Sequence, residues 1–134
     1  MIYRVDVRVV APVSPTEVTE RVADAVRELF PSATVREEPG QVVGETHDLD
    51  ELSRRLHEQE ILEAARREFR SRAGDDGFSF ALKKQAAHEG VVNFSVGSPD
   101  ELGDVAVSVV VNEPSVEAYI DLVAPETVEG DPVE

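Results

Sequence analysis

Tyr3, Val5, Val7 and Val9 alternate with Arg4, Asp6 and Arg8, and a period of two puts one face of a strand on a core and the other in water. Ser14-Pro15-Thr16-Glu17 then has the pattern of a capping box with proline in the first helical position, and Val18, Val22, Ala25, Val26 and Leu29 continue it as an apolar stripe. The spacing predicts a helix that Pro31 ends. Ala33–Arg36 and Gln41–Glu45 flank Glu38-Pro39-Gly40 and read as a hairpin.

Asp48 and Glu51 form a second capping signal, opening a helical region that runs to about Ala73. Leu49, Leu52 and Leu56 share one face of it, whereas Leu62, Ala65, Phe69 and Ala73 fall on another at about 100° per residue, which predicts a kink or break near Gln59. After the turn Gly74–Gly77, Phe78, Phe80 and Leu82 alternate as a strand. Lys84–His88 fits one helical turn, and Val92, Phe94 and Val96 resume the strand pattern. The residues between Gly97 and Gly103 read as a loop. Val105, Val107, Val109 and Val111 line one face of a last strand, and Pro114 opens a helix carrying Val116, Tyr119, Ile120 and Val123 until Pro125.

Strands separated by helices and a hairpin predict an α+β fold, a single two-layer domain over residues 1–125 with a mixed or antiparallel sheet and helices packed on one face. A doubly wound parallel sheet is the weaker alternative, because only one βα unit opens the chain. Residues 126–134 hold four acids, a glycine and a proline and read as a loose tail.

Composition changes the picture in two ways. The 134 residues carry 28 Asp and Glu against 13 Lys and Arg, a formal charge of −15, and only Lys83 and Lys84 are lysines. Acid excess with scarce lysine resembles the proteome of an extreme halophile, where molar salt screens carboxylate repulsion within about 3 Å; a merely acidic mesophilic protein is the alternative. The charge is also uneven, since Arg54–Glu89 has a net charge of +1 and the remainder −16. The chain has no cysteine, which removes disulfides and thiolate chemistry and is compatible with a reducing cytoplasm. The alternating N-terminus lacks the pattern of a signal peptide, and no apolar run approaches the roughly 18 residues of a membrane span. A soluble cytoplasmic protein without membrane contact is expected.

No nucleophile motif, phosphate-binding glycine loop or paired-histidine metal motif is present. No catalytic residue, metal or cofactor is therefore assigned. His47 reads as part of the lead-in to a helix and His57 as surface. Arg66, Arg67 and Arg70 sit away from the Leu62–Phe69 stripe. They form either a solvated face with ion pairs of about 0.2–0.5 kcal/mol each or a surface whose planar guanidinium forks suit phosphate. His88 lies near the lysine pair.

Residues 80–94, FALKKQAAHEGVVNF, resemble an archaeal family of uncharacterised proteins, number 0201 in its series, whose pattern is close to F-x-L-N-K-Q-A-A-x-x-G-K-V-N-F. Phe80, Leu82, Lys84, Gln85, Ala86, Ala87, Gly90, Val92, Asn93 and Phe94 match. VVAPVSPTE, the helix before Phe30-Pro31, RRLHEQEILEAARREF and YIDLVAPETVEG extend the similarity over most of the chain. Lys83 stands where the family has Asn, and Val91 where it has Lys. The resemblance implies a superfamily assigned to RNA binding, with a fold similar to the ribosomal protein that holds the small RNA of the large subunit. Fold alone does not fix function.

The first expectation is a non-catalytic protein that contacts RNA phosphates through Arg66, Arg67, Arg70, Lys83, Lys84 and Gln85, with His88 and Asn93 at the margin. The second is a protein-interaction or homodimerisation module that uses an exposed sheet edge or the Leu49–Leu56 stripe. The third is an enzyme acting on a small anionic metabolite. Phe78, Phe80 and Phe94 share the apolar phase of their strands and are expected in the core, not on a base-stacking face.

Overall fold

Alternation in the first strand is realised along its length. In β1 (Arg4–Pro12), Val5, Val7, Val9 and Ala11 are buried while Arg4, Asp6 and Arg8 face out. The computed structural model describes residues 2–97 and 103–128 and the backbone of 131–132. The remaining elements are α1 (Thr19–Leu29), β2 (Thr34–Glu38), β3 (Gln41–Thr46), α2 (Asp50–Glu58), α3 (Leu62–Ser71), β4 (Gly77–Lys83), α4 (Lys84–His88), β5 (Asp104–Glu113) and α5 (Val116–Val123), followed by β6 (Thr127–Val128) and β7 (Asp131–Pro132). Five strands form one sheet in the order β2-β3-β1-β5-β4, and every pair is antiparallel. This is an α+β domain with its helices on one face of the sheet.

The core lies between that face and the helices. Val105, Val107, Val109 and Val111 of β5 and Phe78, Phe80 and Leu82 of β4 meet Val22, Val26 and Leu29 of α1, Phe69 of α3 and Ile120 of α5. Phe69 contacts Phe78, Phe80 and Phe94, with ring centroids 4.8–5.8 Å apart. The phenylalanines are core residues, as their phase predicts.

Several local expectations need correction. The helix after β1 starts at Thr19, not at the capping box: Ser14–Glu17 closes as a turn, with Glu17 N–H donating to Ser14 O, and the Glu17 carboxylate is drawn toward Lys84. His47 does lie in the lead-in to α2, and its Nδ1 meets the Val5 carbonyl oxygen and the Asp6 carboxylate. The long helical region does break near Gln59; α2 ends at Glu58, Glu60 takes a φ of 57°, and α3 starts afresh at Leu62. Val92–Val96 makes only a bridge at Leu82–Phe94. Lys83 N–H donates to Asn93 O and Ser95 N–H to Ala81 O, and the pairing stops there because β4 gives way to α4 at Lys84. The Gln59 amide accepts from Val92 N–H and donates to Val92 O, both at 2.8 Å, on the side turned away from β4. The last helix is capped by Ser115, whose hydroxyl accepts from Ala118 N–H at 3.1 Å, one residue beyond Pro114. In the segment read as a loose tail, Thr127 pairs with Pro132 and Val128 with Asp131. The expected loop between Gly97 and Gly103 lies largely outside the described residues.

Candidate functional site

Lys83 and Lys84 are neighbours in sequence and part company in space. β4 ends at Lys83 and α4 begins at Lys84. Lys83 points with Ser79 and Ala81 to the side of the sheet away from the helices, whereas Lys84 turns inward and is 0 % exposed. A buried ammonium needs a carboxylate and carbonyls around it. Lys84 Nζ donates to Pro12 O and to Glu17 Oε1, the latter at 2.8 Å. Glu17 is itself 8 % exposed, and Ser14 N–H donates to the same oxygen at 2.9 Å. Burial pushes the Glu17 carboxyl up, but hydrogen bonds from Lys84 and Ser14 outweigh it and hold it below the ordinary glutamate range. Glu17 Oε2 has no hydrogen-bond donor, and His88 Nε2 stands 3.7 Å from it. Lys84 therefore ties α4 to the segment joining β1 and α1.

The α3 arginines diverge as well. Arg66 is 11 % exposed and packs against α5, donating to Asp121 Oδ1 at 2.6 Å, to Ala124 O, and to Glu117 and Glu126 at 3.4 Å. Arg70 reaches Glu117 at 3.5 Å. Arg67 is exposed and makes no ion pair among the described residues. Gln85 and Asn93 are exposed, and Asn93 accepts the Lys83 N–H through its backbone oxygen. The expected cationic island does not assemble: Arg66 and Arg70 face carboxylates of α5, Lys84 is enclosed beside α1, and Lys83 stands on the other side of the sheet. Local sequence could not reveal the acids responsible, which lie 47–67 residues away for Arg70, Arg66 and Lys84.

The side of the sheet away from the helices presents a different surface. Its register aligns Arg36, Val43, Val10, Ala106 and Ala81 in one row across all five strands. The next row runs Thr34, Glu45, Arg8, Ser108 and Ser79, and beyond it lie Asp6, Val110 and Gly77. Val110 is 46 % exposed. Arg8 and Arg36 meet Glu45 at 3.6 and 3.2 Å, Arg36 also meets Glu38, and Arg4 meets Glu113. Including Lys83 and Asp104, this face holds cations and carboxylates in near balance, unlike the chain as a whole. By contrast, Leu49, Leu52 and Leu56 are 1 % exposed or less, so that stripe belongs to the core and offers no dimer surface. Asn93–Ser95 covers part of the outer edge of β4, while β2 forms the other edge of the sheet.

A groove of about 750 Å³ opens between α1 and the turn after α4, lined by Glu17, Arg21, Asp24, Glu28, His88 and Glu89 among others. Arg55 closes part of it, bonding Glu51, Glu28 and the Gly90 carbonyl. Gly90 has φ +72°, a backbone conformation that calls for glycine, and a Cβ there would lie 2.7 Å from Arg55 Nη1 and displace that guanidinium. Among the described residues, no group of three or more His, Asp or Glu side chains converges to hold a metal, and no helix is long and apolar enough to cross a membrane.

No family model matches the chain. It is 39 % identical to a UPF0201 protein of Aeropyrum pernix over 97 % of this chain and 91 % of that protein. With a UPF0200/UPF0201 protein of Archaeoglobus fulgidus it shares 32 % identity over 96 % of its own length but only 40 % of the relative's. The crystal structure of a UPF0201 protein from Methanococcus jannaschii superposes with a TM-score of 0.89 at 31 % identity, covering 96 % of this chain and 99 % of that one. The motif around Lys84, the full-length similarity and the shared fold agree that this chain belongs to the archaeal UPF0201 family.

Proposed function

We propose that the protein is a non-catalytic association module that pairs with a second copy of itself through the open face of its sheet. One observation carries this reading: a molecule of charge −15 keeps a nearly neutral face on which Val10, Ala106 and Ala81 form a small apolar row with the exposed Val110 beside it, while Val43 of the same row is fully buried. Two copies repel over most of their surface, and this face is where they approach at least cost. Small side chains on the central strands let two sheets pack about 10 Å apart. With strands about 4.8 Å apart and about six residues of each contributing, the face offers about 500 Å² per copy, so a pair buries about 1,000 Å², the low end for specific interfaces. That size fits a dissociation constant on the order of micromolar. The UPF0200/UPF0201 relative, of which the matching region is only a part, supports reading this domain as a module.

Sedimentation velocity over a dilution series tests the proposal. A monomer–dimer equilibrium that strengthens with added salt is expected, because salt screens the net repulsion and leaves the apolar row unaffected. A monomer at several hundred micromolar in molar salt overturns it. RNA binding through phosphate contacts has the opposite salt dependence, so a titration with single-stranded and duplex RNA in the same salts separates the two readings.

A further inference from the structure

We propose that the groove between α1 and the turn after α4 binds a linear alkyl polyamine. Arg21, Asp24 and Glu28 recur at i, i+3 and i+7 along α1, and Glu17, in the turn before the helix, lines the same groove. At 1.5 Å rise per residue, Arg21 to Glu28 spans about 10 Å, with Glu17 beyond the N-terminal end of the helix. Glu89 and His88 also line the groove, and Val18 provides exposed apolar surface beside Glu17. An extended chain carrying several separated ammonium groups matches carboxylates strung out in a row. A metal ion does not, because the carboxylates are strung along two turns or more and nowhere meet in a group of three.

The acidic lining is not the only indication. Glu17 is more than nine-tenths buried at one end of the groove. Lys84 and Ser14 occupy its Oε1, while Oε2 has no hydrogen-bond donor. A buried carboxylate oxygen without a donor is costly and calls for one. The His88 ring stands 3.7 Å from Oε2, is 30 % exposed and also lines the groove, so a small displacement of that ring lets a ligand ammonium reach Oε2. Glu28 is held by Arg55, and Asp24 by Arg27, at partly exposed positions where a second ammonium can compete. Arg21 is the one repulsive group in the stripe, and it makes no ion pair among the described residues.

Spermidine titrated into the full chain by calorimetry at low salt is the test, with magnesium chloride as competitor. Binding of one spermidine per chain is expected. Asp24→Asn with Glu89→Gln, both exposed and away from the Lys84 pair, weakens it by about fivefold, the scale of partly exposed ion pairs. Arg21→Gln tightens it, whereas Arg67→Gln, which makes the same charge change on α3 outside the groove, leaves it unchanged. Unaltered binding by the Asp24/Glu89 variant, equal tightening by Arg21→Gln and Arg67→Gln, or displacement by magnesium at matched charge overturns the proposal, since each marks spermidine held as a diffuse counterion of an acidic surface. Glu17→Gln is a further variant, and binding lost in it counts only if circular dichroism shows the fold intact.

Discussion

Lys84 and Arg8 carry the same charge in surroundings that give it opposite meanings. Lys84 is enclosed, bonded to Glu17 and to the Pro12 carbonyl, and its charge holds two segments of chain together. Arg8 stands on the open face of the sheet, half exposed, 3.6 Å from an equally exposed Glu45. Its pairing contributes about 0–1 kcal/mol to the fold and leaves the surface neutral. In an acidic chain, then, basic residues serve in two ways. Buried ones are struts whose partners are fixed, and exposed ones on the sheet offset carboxylates where a second molecule can approach.

The largest effect expected from breaking this contrast is at the strut. Lys84→Ala leaves a largely buried Glu17 without its cation and lowers stability by about 3–5 kcal/mol, read by chemical denaturation. Lys84→Met combined with Glu17→Gln removes both charges and recovers a good part of that loss. Were Lys84→Ala to cost less than about 1 kcal/mol, the lysine would not be a strut.

Arg66 comes next. Its guanidinium is nearly buried, but its carboxylate partners are more than half exposed and return to water when it is removed. Arg66→Ala therefore costs about 2 kcal/mol, and Arg66→Lys recovers only part, because one ammonium cannot reproduce the fork that meets Asp121, Glu117 and Glu126.

Acid should dissolve the strut from the carboxylate side. Glu17 has its folded pKa lowered, so its stabilisation is full above the ordinary glutamate range and is lost as pH falls through the folded value. Glu51, held at about 2 by Arg54 and then Arg55, follows the same sign between 4.5 and about 2, with a smaller effect because Arg54 is exposed. Thermal unfolding between pH 6 and pH 2 should show a decline that Glu17→Gln flattens more than Glu51→Gln does. The smallest effect is on the sheet face, where Arg36→Ala should change monomer stability by less than about 1 kcal/mol.

Much of the fold was legible in the sequence, because period-two runs such as Val105–Val111 and the phase shift between Leu56 and Leu62 are local signals, and local signals place strands and helix breaks. Val92–Val96 misled because its alternation does not show that β4, its neighbour in space, ends at Lys83, leaving only the bonds of Asn93 and Ser95 across. The site was less legible for the same reason. Lys84 looked like an available cation because nothing near it in sequence announces Glu17, 67 residues away, and a two-residue pattern at the end of a strand does not tell which lysine turns inward. The sheet face was half visible: alternation marks Arg8, Val10, Ala106 and Val110 as one side of their strands, but only the register joins them into a row.

The most direct test of the association face compares two insertions of the same charge. Ala106→Arg places a guanidinium in the apolar row of the sheet, and Leu122→Arg places one on an exposed position of α5 on the helical side. Each makes the molecule less negative and so favours association in general. In sedimentation equilibrium, Ala106→Arg should be monomeric at concentrations where the wild type and Leu122→Arg are dimeric; dimers of undiminished affinity in Ala106→Arg, or equal loss in both variants, would contradict the assignment of the open sheet face.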